Sequence, residues 1–180
     1  ILCAVLGLLF LVSSYDLISM YLAIEMQSLC LYVLAASKKN SSFSTEAGLK
    51  YFLLGSFSSA LLLFGMSILY GCTGTTNFEN YTILFSGVDV STFSTSESIS
   101  IALLFVGAAF FFKIAAAPLH MWSPDVYEGS PTSSTIFFAV IPKIALFAVF
   151  IRMFQTVFSS FEDTLLTVSY THLRAHETVT

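Results

Sequence analysis

The chain has 180 residues, of which 56% are hydrophobic and only 10% charged, with a formal net charge of −4 and a mean hydropathy of +0.85. A soluble domain carries about 25% charged residues, so charge this sparse cannot coat a globule of this size in water, and lipid must be the solvent for much of the surface. No basic cluster suits nucleic acid, and the widely spaced Cys3, Cys30 and Cys72 read as buried apolar thiols rather than a disulfide or metal framework.

A spanning helix needs about 20 mostly apolar residues, and five segments meet or approach that length. The first, residues 1–14, is already apolar at Ile1 and reads as cut short; Tyr15 and Asp16 follow as a tight interfacial turn. The second, 17–36, is apolar except for Glu25 and Gln27. A short basic connection with Lys38, Lys39 and Lys50 leads to the third, 51–70, which carries no charge. Its Gly55, Ser56, Ser59 and Ala60 give small-residue spacing, read as plain close packing. A long Ser/Thr-rich, acidic connection (71–98, with Glu79, Asp89 and Glu97) precedes the fourth, 99–117, interrupted only by Lys113. The fifth, 132–151, holds Pro142 and Lys143. From about 167 the sequence (TVSYTHLRAHETVT) turns polar and loses its periodicity, reading as a surface tail or as sequence foreign to a membrane domain spanning 1–166. The expected fold class is therefore an all-α integral membrane protein, a polytopic bundle of transmembrane helices. Lysine enrichment puts the 38–39 connection on the cytoplasmic or matrix face, 71–98 opposite and 118–131 back again; Arg152 then falls on the far face, against the rule.

Three ionisable side chains interrupt apolar helices: Glu25, Lys113 and Lys143. Each costs about 2.5–3.5 kcal/mol at mid-membrane on insertion scales, so such groups face a bundle interior or a wet cavity. One acid and two bases make a natural set for passing protons, because burial and opposite charge pull each group's proton affinity in opposite directions. The alternatives are a purely structural ion pair for Glu25 and a Lys113 that snorkels to the interface.

Pro118 adds a second clue. The run Ala115–Ala116–Ala117–Pro118–Leu119–His120 continues through Trp122 to about 125, which reads as a broken helix around Pro118. Broken helices are tolerated where they are buried in protein or line a cavity. Lys113 and His120 are seven apart, so an unbroken helix would put them on one face; His120 is then either a proton relay or a ring bonded to the freed carbonyls. No nucleotide loop, HExxH or paired-cysteine motif is present, so no cofactor or metal site is expected in this chain.

Residues 111–132 (FFKIAAAPLHMWSPDVYEGSPT) resemble the signature of subunit 2 of respiratory complex I. Their Lys–x–x–x–x–Pro–x–His–x–Trp–x–Pro–Asp frame is similar to that of all antiporter-like subunits of complex I and of Mrp-type cation/proton antiporters, while the ending VYEGSPT is more like subunit 2. Residues 16–36 (DLISMYLAIEMQSLCLYVLAA) and 45–52 (TEAGLKYF) look like the same subunit, in its plant, algal or protist mitochondrial form. The resemblance covers roughly 1–155. It departs at Ser133–Ser134–Thr135–Ile136–Phe137, where the family has Pro–Val–Thr–Ala–Phe, and in the tail.

The resemblance implies a longer subunit of two inverted repeats, of which this stretch would be the fourth to eighth helices. Glu25 matches the family's helix-five glutamate, Lys113 the lysine of the broken seventh helix and Lys143 that of the eighth. The family pairs the glutamate with the first lysine and passes protons toward the second. It implies a multi-pass place in the mitochondrial inner membrane (or a bacterial plasma membrane), other membrane-arm subunits as partners, and NAD, FMN, iron–sulfur clusters and ubiquinone bound by other subunits. The other readings are an Mrp-type antiporter subunit and an inert membrane scaffold.

Overall fold

The computed structural model describes residues 1–38, 40–86 and 96–154; Lys39, Asp89 and the polar tail lie outside them. Apart from one isolated antiparallel bridge between Asp16 and Asn77, the regular structure among the described residues is helical. The elements are α1 (Leu2–Ser13), α2 (Leu17–Ala35), α3 (Ser42–Thr73), α4 (Phe78–Ser86), α5 (Ser96–Ile114), α6 (Trp122–Gly129) and α7 (Thr132–Arg152). Among the described residues, four helices are long and apolar enough to cross a membrane: Leu17–Ala35, Ser42–Thr73, Glu97–Ile114 and Thr132–Arg152. α1 is a shorter apolar helix.

Several boundaries differ from the sequence expectation, each for a local reason. α3 starts at Ser42 rather than 51. Its first turns are polar and escape a hydropathy reading, but Ser41 Oγ caps them by accepting from the Ser44 N–H at 3.4 Å, and Glu46 pairs with Lys50 at 2.9 Å one turn on. The helix ends at Gly74, whose φ of 71° is the left-handed conformation that favours glycine, with its N–H on Tyr70 O. At 32 residues and about 1.5 Å per residue, α3 outreaches a hydrocarbon core of about 30 Å. The long acidic connection contains α4. Phe78, Tyr81 and Phe85 are spaced three and four apart, and all three are buried in the main apolar cluster.

α5 stops at Ile114 instead of 117. Ala115 adopts φ 62°, its N–H bonds to Phe112 O and the Ala116 N–H to Phe111 O. That pair of bonds is a Schellman motif, with alanine where glycine is usual. The helix therefore breaks three residues before Pro118, and the chain resumes as α6 at Trp122.

The packing is inverted relative to a soluble protein. Large apolar side chains such as Val33, Ile83 and Ile144 point outward, whereas Gln27, Ser28, Ser44, Ser58 and Ser59 are buried. Cys3 also points outward, and Cys30 and Cys72 are only half-buried; an apolar thiol surrounded by lipid needs no protein cover. With little hydrophobic force between helices in lipid, close approach at small residues does the packing. A Cβ on Gly65 would stand 2.8 Å from Ala102 O of α5, and one on Gly48 would stand 2.6 Å from the Ala36 Cβ.

The connections fix which ends share a face. The α1–α2 turn meets the segment after α3, with the Leu17 N–H on Thr76 O and the Phe78 N–H on Tyr15 O. Arg152, at the end of α7, reaches the same face, where its guanidinium donates to Val12 O at 2.9 Å and to Ser14 O. It also sits 5.2 Å from the Tyr15 ring centroid. These carbonyls at the α1 terminus need donors, which accounts for an arginine on the face that the lysine count would assign to acidic loops. Lys38, Lys50 and α6 lie at the opposite face.

Candidate functional site

Among the described residues, the buried apolar side chains form two clusters. One holds Ile24, Leu62, Leu103 and Phe110; the other holds Leu31, Trp122, Val126 and Phe138. Inside the bundle one polar side chain each from α2, α3 and α5, namely Glu25, Ser59 and Lys113, meet. Lys113 Nζ donates to Ser59 Oγ at 2.9 Å, the Ser59 hydroxyl donates to Glu25 Oε1, and Lys113 Nζ stands 3.8 Å from the same carboxylate oxygen. The Lys113 side chain is only 8% exposed and that of Glu25 25%. Lys113 therefore points into the bundle instead of snorkelling to the interface. Glu25 has the opposite charge it needs close by, with a neutral hydroxyl wedged between them.

The local sequence explains the meeting. Ser59 lies on the small-residue face of α3, one turn from Gly55. At Gly55 the Tyr32 ring of α2 lies so close that a Cβ would overlap its hydroxyl oxygen. The same small residues that let α2 approach α3 bring Glu25 within reach of Ser59. Lys113 is in the last turn of α5, directly before the break at Ala115. Cations at a helix C-terminus are favoured by the backbone dipoles, by about 0.3–1 kcal/mol when exposed and up to about 2 when partly buried.

α6 closes this end of the bundle. The Trp122 indole N–H donates to Phe112 O at 2.9 Å, so a carbonyl beside the break is capped by the half-helix that follows it. The Trp122 ring stacks on Tyr51 with centroids 4.9 Å apart. At the rim Lys50 bonds Asp125 at 2.9 Å.

Lys143, on α7, is half-buried and holds its ammonium 5.5 Å from the Tyr127 ring centroid, a cation–π arrangement. Lys113 and Lys143 line one cavity of about 30 Å³, together with Gln27, Ser28, Tyr51 and Ser58. That is room for roughly one or two water molecules. The structure thus brings Glu25 and Lys113 into contact and has Lys143 line the same small cavity as Lys113.

His120 does not join them. The helix that would have aligned it with Lys113 is broken at Ala115, and its ring is exposed, while its backbone carbonyl accepts from Ser123. Ser59 is the member that sequence reasoning misses, taking it for packing. Its spacing from Gly55 is visible in the sequence, but not the pair of charges that it bridges.

The sequence model of a family described as NADH:quinone oxidoreductase/Mrp antiporter, transmembrane, matches residues 14–171. NADH-ubiquinone oxidoreductase chain 2 of Marchantia polymorpha is 54% identical over 165 residues, which is 91% of this chain and 33% of that protein. Among solved structures, respiratory complex I from Thermus thermophilus with bound aureothin contains a chain that is 38% identical with a TM-score of 0.71, covering 84% of this chain and 32% of that one. The Mrp complex from Dietzia sp. DQ12-45-1b contains one with a TM-score of 0.75 at 23% identity, covering 88% of this chain and 29% of that one, a likeness of fold alone. The chain spans about one third of the length of the curated relatives it matches.

Proposed function

Since the chain belongs to the NADH:quinone oxidoreductase/Mrp antiporter transmembrane family, we propose that it is part of a proton-translocating membrane-arm subunit of NADH:ubiquinone oxidoreductase, coupling quinone reduction elsewhere in the complex to proton movement through Glu25, Lys113 and Lys143. The observation that carries the proposal is the bonded series Glu25–Ser59–Lys113 inside a membrane bundle. Holding a carboxylate and an amine away from water is costly, and such pairs are rare in spanning segments unless they do work there. The cavity that Lys113 and Lys143 both line gives a proton leaving the first amine somewhere to go. Identity of 54% to a chain 2, against 23% to an Mrp chain, favours complex I over an antiporter. The chain-2 likeness supports the mitochondrial inner membrane, with a bacterial plasma membrane as the alternative that the Thermus likeness keeps open. In this reading the redox cofactors and the quinone belong to other subunits, other membrane-arm subunits and lipid surround the chain, and His120 has at most a part at the exposed face.

The test is Lys113→Met and Glu25→Gln in the assembled complex reconstituted into liposomes, with protons moved per electron read beside quinone reduction. Relay residues lose coupled pumping while the complex still assembles. An inert scaffold keeps it.

A further inference from the structure

Gln27 follows Glu25 by two residues on α2 and belongs to neither apolar cluster. It is 3% exposed, and its side-chain carbonyl oxygen has no hydrogen-bond partner among the described residues. An unpaired buried acceptor is costly, and buried side-chain polar atoms are normally satisfied by protein or by an ordered water. Gln27 lines the same cavity as Lys113 and Lys143. From behind, α1 covers it, where a Cβ on Gly7 would stand 3.0 Å from the Gln27 N and 3.2 Å from its Cβ. A neutral acceptor on a residue that lines the same cavity as two amines is placed to orient a donor moving between them.

We infer that Gln27 is a positioning residue for the transfer of a proton from Lys113 to Lys143, its side-chain carbonyl accepting a hydrogen bond from the water that bridges the two amines in the cavity. In this step an N–H bond of the Lys113 ammonium breaks as an O–H bond forms on the water. That water gives up another proton to the Lys143 amine, so Lys113 ends neutral and Lys143 charged. No oxidant or reductant takes part. Gln27 neither gains nor loses a proton; it fixes which lone pair of the water faces the donor. The inference rests on the relay reading above and adds to it a residue that carries no charge.

The experiment uses the assembled complex in liposomes, with Gln27→Leu, Gln27→Met and Gln27→Glu compared with Lys113→Met. Leucine and methionine approximate the volume without the acceptor; glutamate keeps an acceptor at the same reach. The expected result is at least a five-fold loss of protons per electron for the first two, with quinone reduction in uncoupled liposomes retained, a larger deuterium solvent isotope effect on pumping, and recovery of more than half the pumping with glutamate. A merely structural role lowers the yield of assembled complex and leaves the isotope effect unchanged. Wild-type pumping in either acceptor-free variant, or an isotope effect that does not rise, overturns the inference. If Lys113→Met also pumps normally, the relay reading itself falls; if only the Gln27 variants pump normally, the relay stands without this residue.

Discussion

Replacing Ser59 by alanine removes one oxygen atom and nothing else from the centre of the bundle. That oxygen accepts from Lys113 at 2.9 Å and donates to Glu25, and hydrogen bonds to charged partners contribute about 1.5–3 kcal/mol each. Together the two contribute about 3–6 kcal/mol. Part of this is recovered, because the carboxylate and ammonium, now 3.8 Å apart, can close on each other. At an effective dielectric of about 20 their attraction rises from about 4.4 to about 5.9 kcal/mol on closing by about 1 Å. The net loss is about 1.5–4.5 kcal/mol, and about 1.4 kcal/mol corresponds to a factor of about ten in rate. Ser59→Ala should therefore slow proton transfer between Glu25 and Lys113 at least tenfold, while Ser59→Thr, which keeps a hydroxyl and fits a helix, should retain most of it. The assay is dye-monitored proton uptake in liposomes containing the assembled complex, normalised to electrons delivered. Unchanged pumping in Ser59→Ala, or a loss that Ser59→Thr shares, would refute the bridging role.

Gly55→Ala sets a methyl group on top of the Tyr32 hydroxyl and should destabilise the α2–α3 contact by about 1–3 kcal/mol; thermal unfolding in detergent reads it, and Gly55→Ala combined with Tyr32→Phe should recover part of the loss. Ala115→Gly relieves a left-handed alanine, which costs about 1–2 kcal/mol, and should raise the unfolding midpoint; a fall would mean that the break is held by something other than local backbone geometry. Cysteines introduced as Asn40→Cys and Glu79→Cys, both exposed, should react with a membrane-impermeant maleimide from opposite sides of sealed vesicles. Labelling from one side would contradict the alternation of α2, α3 and α5.

Much of the site is legible in the sequence because its members break the local solvent rule. Glu25, Lys113 and Lys143 are charges in apolar runs, and the cost of placing them in lipid marks them without any structure. Ser59 and Gln27 are not legible in the same way. A serine on a helix of small residues has the same appearance whether it packs or bridges, and only the angular placement of three helices tells which. The missed first turns of α3 follow from reading hydropathy alone, since Ser41, Glu46 and Lys50 are helix-supporting but polar. α4 shows the reverse failure, a real three–four spacing of aromatics hidden in a Ser/Thr-rich stretch. Pro118 drew the helix break to itself, although the chain turns at Ala115, where no residue type announces it.

The alanine-capped end of α5 gives Lys113 a neighbour that never changes protonation. The Glu25 carboxylate, by contrast, stands on another helix and reaches the amine only where α2 and α5 stay together. The aligned peptide dipoles of α5 belong to the same helix as the amine and are fixed with it. The amine thus lives under one field set by the packing of helices and one set by its own backbone.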